Sequence, residues 1–208
     1  MNISLAGKTA LVTGASRGIG RAIAIAMAEA GANIIFTYNH SPKDAEATAA
    51  AIAVHSQKAL AKKVDISDET EITSLFKGFD ESNIVIDILV NNAGIIMEKS
   101  TVESSASDFD HLIGINLRGT FLTGREALKR MVMHERGGRI INISSDLGFL
   151  GRESFALYAT SKGAINALTK SWALEYAPHI LVNAIAPGPV DTDMLDINNM
   201  TPEWREKE

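Results

Sequence analysis

The feature that most constrains this chain is a glycine loop with a strand on one side and a helix on the other. T-G-A-S-R-G-I-G runs from Thr13 to Gly20, directly after the apolar run Thr9 to Thr13. An Ala/Ile-rich helical pattern follows, from about Arg21 to Ala30, and Gly31 stops it. Each glycine has a physical use in such a place. Gly14 lets the chain turn sharply, Gly18 lets backbone N–H groups approach a pyrophosphate, and Gly20 lets the helix pack close to the sheet. A phosphate would then sit at the positive end of the helix dipole. A plain glycine-rich turn would satisfy the glycines alone. The strand–loop–helix context favours a nucleotide site.

The rest of the chain repeats the same alternation. Asn33 to Tyr38 reads as a second strand, and Ser41-Pro42 opens a helix with serine as N-cap and proline in its first turn. Leu60 to Val64 is a third strand. Asp68-x-x-Glu71 has the pattern of a capping box, before a helix to about Phe79. Ile84 to Val90 is a fourth strand. Two helices follow, about Ser107 to Ile115 and Thr120 to His134, then a fifth strand, Arg139 to Ile143. A long helix spans about Phe155 to Tyr176, ended by Pro178, and Leu181 to Ile185 is a sixth strand. Alternating strands and helices, with strands apolar on both faces, predict an α/β fold: a doubly wound parallel sheet covered on both sides. With no repeat, linker or low-complexity tract, residues 1–208 read as a single domain, its polar tail from Asp191 to Glu208 a loop or a loose helix.

Composition removes several function classes. The chain has no cysteine, so disulfides, thiolate metal sites and cysteine nucleophiles are out. Five scattered histidines form no H-E-x-x-H or paired motif, and no metal site is expected. The net charge of −5 argues against a nucleic-acid partner. Ala22 to Ala28 is the most apolar stretch and far short of the ~20 residues a spanning helix needs, and the N-terminus lacks an export pattern. A soluble cytoplasmic protein, with no membrane partner, is the expectation.

The loop spacing T-G-x-x-x-G-x-G differs from the common G-x-G-x-x-G. Asn91-Asn92-Ala93-Gly94 follows the fourth strand, Tyr158-x-x-x-Lys162 lies on one face of the long helix, and Ser145 stands 13 positions before Tyr158. Asn116 lies in the helical region between the fourth and fifth strands. Tyr-x-x-x-Lys alone is a cheap match. In this order and company the set resembles the short-chain dehydrogenase/reductase family, with a Rossmann-like fold. The resemblance implies a nicotinamide-dependent oxidoreductase acting on a small carbonyl or alcohol substrate.

The family's serine-to-tyrosine spacing selects Ser145 over Ser144, and Gly148 and Gly151 match the usual loop. Reduction of a carbonyl needs a hydride on carbon and a proton on oxygen. Tyr158 can supply the proton, but a free phenol has a pKa near ~10 and is a poor base at neutral pH. A lysine ammonium nearby lowers it, and Lys162 is placed to do so. Ser145 can donate to the developing alkoxide. In the family, Asn116 holds a water that relays protons to Lys162, and Lys162 also holds the nicotinamide ribose. Asn116 could equally be a polar residue that bends its helix.

The resemblance implies a cofactor site made of Gly14, Ser16, Arg17, Gly18, Ile19, Gly20, Tyr38, Asn39, Asp65, Ile66, Asn92, Ala93, Gly94, Tyr158, Lys162, Pro187, Gly188, Val190 and Thr192. N-N-A-G would pack under the cofactor and brace the sheet. Asp65 would accept from the adenine amine or be a plain strand-end turn residue. Pro187-Gly188 would wall the nicotinamide, Thr192 would bond its carboxamide or a phosphate, and Asn183 would be structural. NAD sites place a carboxylate at the end of the second strand. Here that position is Tyr38, followed by Asn39 and His40, and Arg17 sits in the glycine loop. NADP is therefore favoured over NAD.

Family members continue to a seventh strand, and the sequence has no segment for it. The sixth strand is thus expected to have an apolar edge, and the chain to be a fragment, a truncated product or covered by a partner. A homodimer is expected through the helices Thr120 to His134 and Phe155 to Tyr176, whose Leu157, Ile165, Leu168 and Trp172 exceed one sheet-facing stripe. The family's homotetramer, which needs the seventh strand, is expected to be absent or unstable. A cofactor-binding module without turnover and a nucleotide-sugar epimerase are the rival readings. The loop spacing and N-N-A-G speak against the second.

Overall fold

A computed structural model describes residues 4–55, 57–134 and 136–195. Its elements run β1 (Thr9–Val12), α1 (Gly18–Glu29), β2 (Asn33–Tyr38), α2 (Pro42–Ala53), β3 (Ala59–Lys63), α3 (Glu69–Glu81), β4 (Ile88–Asn91) and α4 (Ala106–Ile113). A single π turn (Gly114–Arg118) leads into α5 (Gly119–His134), then β5 (Gly138–Ile143), α6 (Leu147–Leu150), α7 (Ala156–Tyr176) and β6 (Ile180–Ile185). The six strands form one parallel sheet in the order β3-β2-β1-β4-β5-β6. The order reverses at β1, which pairs with β2 on one side and β4 on the other. That reversal opens a crevice at the carboxyl ends of β1 and β4.

Period-two alternation along each central strand divides the apolar residues between two cores. Leu11, Ile35 and Leu89 point to one face, where Phe76 and Phe79 of α3, Leu122 of α5 and Trp172 of α7 cover them. Ala10, Val12, Ile34, Phe36, Ile88 and Val90 point to the other, beneath Ala24 and Ala28 of α1 and Ile52 of α2. On α1 the buried stripe Gly20, Ala24, Ala28 is small throughout, so this helix lies close to the sheet.

Several boundaries differ from those read from the sequence. α1 begins at Gly18, not near Arg21, so the end of the glycine loop is already the first helical turn. Ser41 sits at the N-cap of α2 without a side-chain bond to it. Asp68 caps α3 by accepting from Thr70 N–H and Glu71 N–H, but Glu71 does not complete a box: its carboxylate accepts from Asp65 N–H at 2.8 Å. The true capping box is Ser105 with Asp108, on α4. β4 starts at Ile88, because the carboxylate of Asp87 turns back to accept from Thr9 N–H at 2.9 Å and pairs with Lys8 at 3.1 Å. The two helices expected between β4 and β5 are one run joined by the π turn, and α6 has no counterpart in the sequence reading. Of the polar tail, residues 196–208 lie outside the described residues.

Candidate active site

The crevice at the sheet reversal is a cleft of about 340 Å³. One end is formed by Gly14, Arg17, Tyr38, Asn39 and His40, the other by Ser145, Tyr158 and Lys162. Every cofactor residue expected from the sequence lines it, from Ser16 and Ile19 through Asp65, Ile66 and Ala93 to Pro187, Val190 and Thr192.

The glycine loop is held from both sides. Gly14 N–H donates to Thr37 Oγ1 of β2 at 3.2 Å, and Thr13 Oγ1 accepts from Asn92 N–H and Ala93 N–H at 3.0 Å each. The Asn92 amide donates to the carbonyls of Thr13 and Gly14 at 2.9 and 3.0 Å. Asn92 and Ala93 of N-N-A-G are thus hydrogen-bonded directly to the glycine loop. Gly14 has φ +64°, and a Cβ there would meet Ala93 Cα at 2.8 Å. A Cβ on Gly20 would meet Gly14 O at 2.6 Å, which keeps α1 against the loop, whereas one on Gly18 would reach only Thr192, at 3.6 Å. The N-terminus of α1 has no side-chain cap and no acid in its first turn. That leaves the positive end of a 12-residue helix facing the cleft.

At the other end, β5 delivers Ser144 and Ser145, and α7 delivers Tyr158 and Lys162. Ser144 Oγ donates to Lys162 O at 3.0 Å, tying strand end to helix, as its reading as a neighbour anticipates. Ser145 Oγ donates to Asp146 Oδ1 at 2.9 Å. Lys162 is buried, 5 % exposed, with Nζ 5.7 Å from the Tyr158 ring centroid and donating to Ile143 O at 2.8 Å.

The electrostatics differ from the expected ones. Burial pushes the Tyr158 phenol up from its ordinary value; the Ser145 hydroxyl pulls it down and the Asp146 charge adds to the rise. Burial also lowers the Lys162 ammonium, to about 8. The sequence reading expects the lysine to lower the tyrosine. In the chain alone its Nζ turns to the Ile143 carbonyl, and desolvation dominates both groups.

Asn116 is the one expected site residue that does not line the cleft. It is fully buried in the π turn. Its Oδ1 accepts from Ile95 N–H at 2.8 Å, and its Nδ2 donates to Ile95 O at 2.9 Å and Ser161 Oγ at 3.1 Å. It braces the segment after β4 against α7 from within the π turn. Asp65 Oδ1 accepts from Ser67 N–H and Ser67 Oγ at 2.8 and 2.7 Å, which holds its carboxyl below the usual range. Asn183 is exposed on the edge strand β6. Sequence reasoning missed a buried chain in which Asn91 donates to Asn142 and Asn142 to Thr169, each at 2.9 Å. Only the register of β4 with β5 brings the two asparagines opposite one another.

Residues 8–202 match the short chain dehydrogenase family. This chain belongs to that family. It is 42% identical over 196 residues to the 3-oxoacyl-[acyl-carrier-protein] reductase of Aquifex aeolicus, covering 93% of this chain and 78% of that one. It is 37% identical over 206 residues to glucose 1-dehydrogenase 2 of Bacillus subtilis, covering 98% and 80%. A crystal structure of a short chain dehydrogenase from Burkholderia cenocepacia, in complex with NADP, superposes with a TM-score of 0.90 at 33% identity, over all of this chain and 83% of that one. The short-chain dehydrogenases are NAD(P)-dependent oxidoreductases, and this chain is an enzyme of that class. Its residues fit such a dinucleotide: an uncapped helix N-terminus for the pyrophosphate, a glycine at 18 that leaves the loop open, and a cleft running from there to Lys162. Among the described residues no cluster of His, Asp and Glu could hold a metal, and no helix is long and apolar enough to cross a membrane.

Proposed function

We propose that this short-chain dehydrogenase interconverts a carbonyl and a secondary alcohol with NADP(H), and that Tyr158 is its acid and base. The observation that carries the reading is the meeting of Ser145, Tyr158 and Lys162 in one cleft with the glycine loop. A bound nicotinamide supplies or accepts the hydride at the reacting carbon. Tyr158 gives its proton to the carbonyl oxygen, and its raised pKa keeps it protonated for that step at neutral pH. Ser145 holds that oxygen by a hydrogen bond as negative charge grows on it. Lys162 is a buried cation whose charge is costly until a phenolate forms beside it, so it favours the tyrosinate left after proton transfer. Asn116 fixes Ile95 and Ser161, and through the bond from Ser161 Oγ to Tyr158 O at 2.7 Å it also holds the backbone under the tyrosine.

The preference for NADP rests on charge. β2 ends at Tyr38 and Asn39 follows it, neither a carboxylate, and Arg17 is exposed in the same cleft, whose lining also includes His40. A cation there would pair with a 2′-phosphate. The relatives named above include a thioester reductase and a sugar dehydrogenase, and both substrate types belong in the test. Purified protein would be given NADPH or NADH with a panel of ketones, hydroxyketones and a 3-oxoacyl thioester, following nicotinamide absorbance. The reading expects NADPH consumption with at least one carbonyl. Tight NADPH binding without turnover on any of them would make the chain a cofactor-binding module.

A further inference from the structure

The reacting end of the cleft holds a carboxylate to which the mechanism above gives no task. Asp146 Oδ1 accepts from Ser145 Oγ at 2.9 Å and from Leu147 N–H at 2.7 Å. Its N–H donates to Pro187 O at 3.1 Å, and Oδ2 faces Gly188, where a Cβ would stand 3.6 Å away. Asp146 thus ties the end of β5 to the turn after β6 through its backbone, and its carboxylate lies between these two walls of the cleft.

A serine hydroxyl has one proton, and with Tyr158 protonated Asp146 holds it. In that arrangement Ser145 can accept a hydrogen bond but cannot donate one to a reacting oxygen. A substrate must draw the proton away from Asp146. An ionised carboxylate is an acceptor only, and when Ser145 turns away Asp146 keeps Leu147 N–H but loses its one side-chain donor, which is costly in a partly closed cleft. A simple ketone takes the Ser145 proton and returns nothing to Asp146. A substrate with a hydroxyl on the neighbouring carbon returns a donor. The spacing suits this exchange: Ser145 Oγ and Asp146 Oδ1 stand one hydrogen-bond length apart, as do the two oxygens of a gauche vicinal pair. The carbonyl oxygen can meet Ser145 while the adjacent hydroxyl meets Asp146. The same charge repels a carboxylate or phosphate carried next to the reacting carbon.

We propose that Asp146 is a specificity-determining residue and that the substrate is an α-hydroxy carbonyl, or in the reverse direction a vicinal diol. This rests on the reading of Ser145 and Tyr158 as the reacting pair. The test compares 2-hydroxycyclohexanone with cyclohexanone, with NADPH, in the unmutated enzyme, Asp146→Leu and Asp146→Asn. The second variant keeps the shape and the acceptor for Leu147 N–H, so the comparison survives if the first does not fold. The unmutated enzyme is expected to favour the hydroxyketone in kcat/KM by about tenfold or more, the effect of one charge-assisted hydrogen bond. That ratio should fall about tenfold in Asp146→Leu and part of the way in Asp146→Asn. Equal kcat/KM for the two ketones, or a preference that survives both substitutions, overturns the proposal and leaves the oxidoreductase reading standing. Turnover of neither ketone, nor of any carbonyl in the wider panel, overturns that reading and this one with it.

Discussion

Two cations, Arg17 and Lys162, line the cleft, and their environments set what each can do. Arg17 is exposed, so an ion pair there would add little to stability, and the role proposed for it is to pair with a ligand charge. NADPH should bind more tightly than NADH, and Arg17→Ala should narrow that gap by about 10- to 100-fold. Equal affinities in the unmutated protein, measured by fluorescence titration, would remove the argument. Lys162 is the reverse case. Its folded pKa of about 8 lies below the unfolded value of 10.5, so between those values the unfolded chain binds the extra proton. The burial penalty is fully present below pH 8 and fades as pH rises towards 10.5. Lys162→Met should therefore raise stability by about 1–2 kcal/mol at neutral pH, with a gain that shrinks in alkali. Denaturant melts at several pH values would show it, and a loss of stability at pH 7 would contradict it. The types and spacing of Ser145, Tyr158 and Lys162 were legible because one strand end and one helix face must present them together. The direction of the tyrosine shift was not, because it depends on where Nζ turns and how deeply both groups are buried.

Among the elements, the run from α4 through the π turn to α5 shows how a local irregularity serves the site. Thr120 Oγ1 donates to Asn116 O at 2.7 Å, and the extra residue of the π turn aims the Asn116 amide at Ile95 instead of along the helix. Asn116→Ala would strand the N–H and C=O of Ile95 and loosen Ser161. It should cost about 2–3 kcal/mol, the scale of buried polar groups left unpaired. Chemical denaturation checks this, and a change below about 0.5 kcal/mol would show that the amide is not the brace. Most elements were readable from hydrophobic period and capping residues. β2 was read to the residue, since Gly31 and Ser41-Pro42 mark both its limits. The π turn was not, because its sequence, G-I-N-L-R, fits an ordinary helix or a break equally well. α6 has four residues, too few to show a period.

At the scale of the molecule, the parallel sheet and its order follow from strand–helix alternation, and the site falls at the point where that order reverses. What the sequence misjudged is which apolar residues face outward. Ile165 and Trp172, expected at a helix interface, are buried within the chain, and Leu168 packs against the core cluster that holds Trp172. On the same two helices Phe121 is 41 % exposed and Leu174 86 %. Among the described residues β6 is a sheet edge, with Leu181 and Ile185 exposed along it. A homodimer through α5 and α7 remains the expected assembly, now resting on Phe121 and Leu174. Light scattering over a dilution series should give the mass of two chains, and Phe121→Lys should shift it to one. A clean monomer of the unmutated protein at micromolar concentration would contradict this interface.

The central claim is that one phenol moves the proton for the chemistry of the whole cleft. Tyr158→Phe removes a single oxygen and leaves the ring, the glycine loop and Lys162 in place. Carbonyl reduction and NADPH binding should be measured side by side on this variant. The account predicts turnover lost by more than about a thousandfold, within the range for a general acid, with cofactor affinity nearly unchanged. Turnover within tenfold of the unmutated enzyme would contradict it.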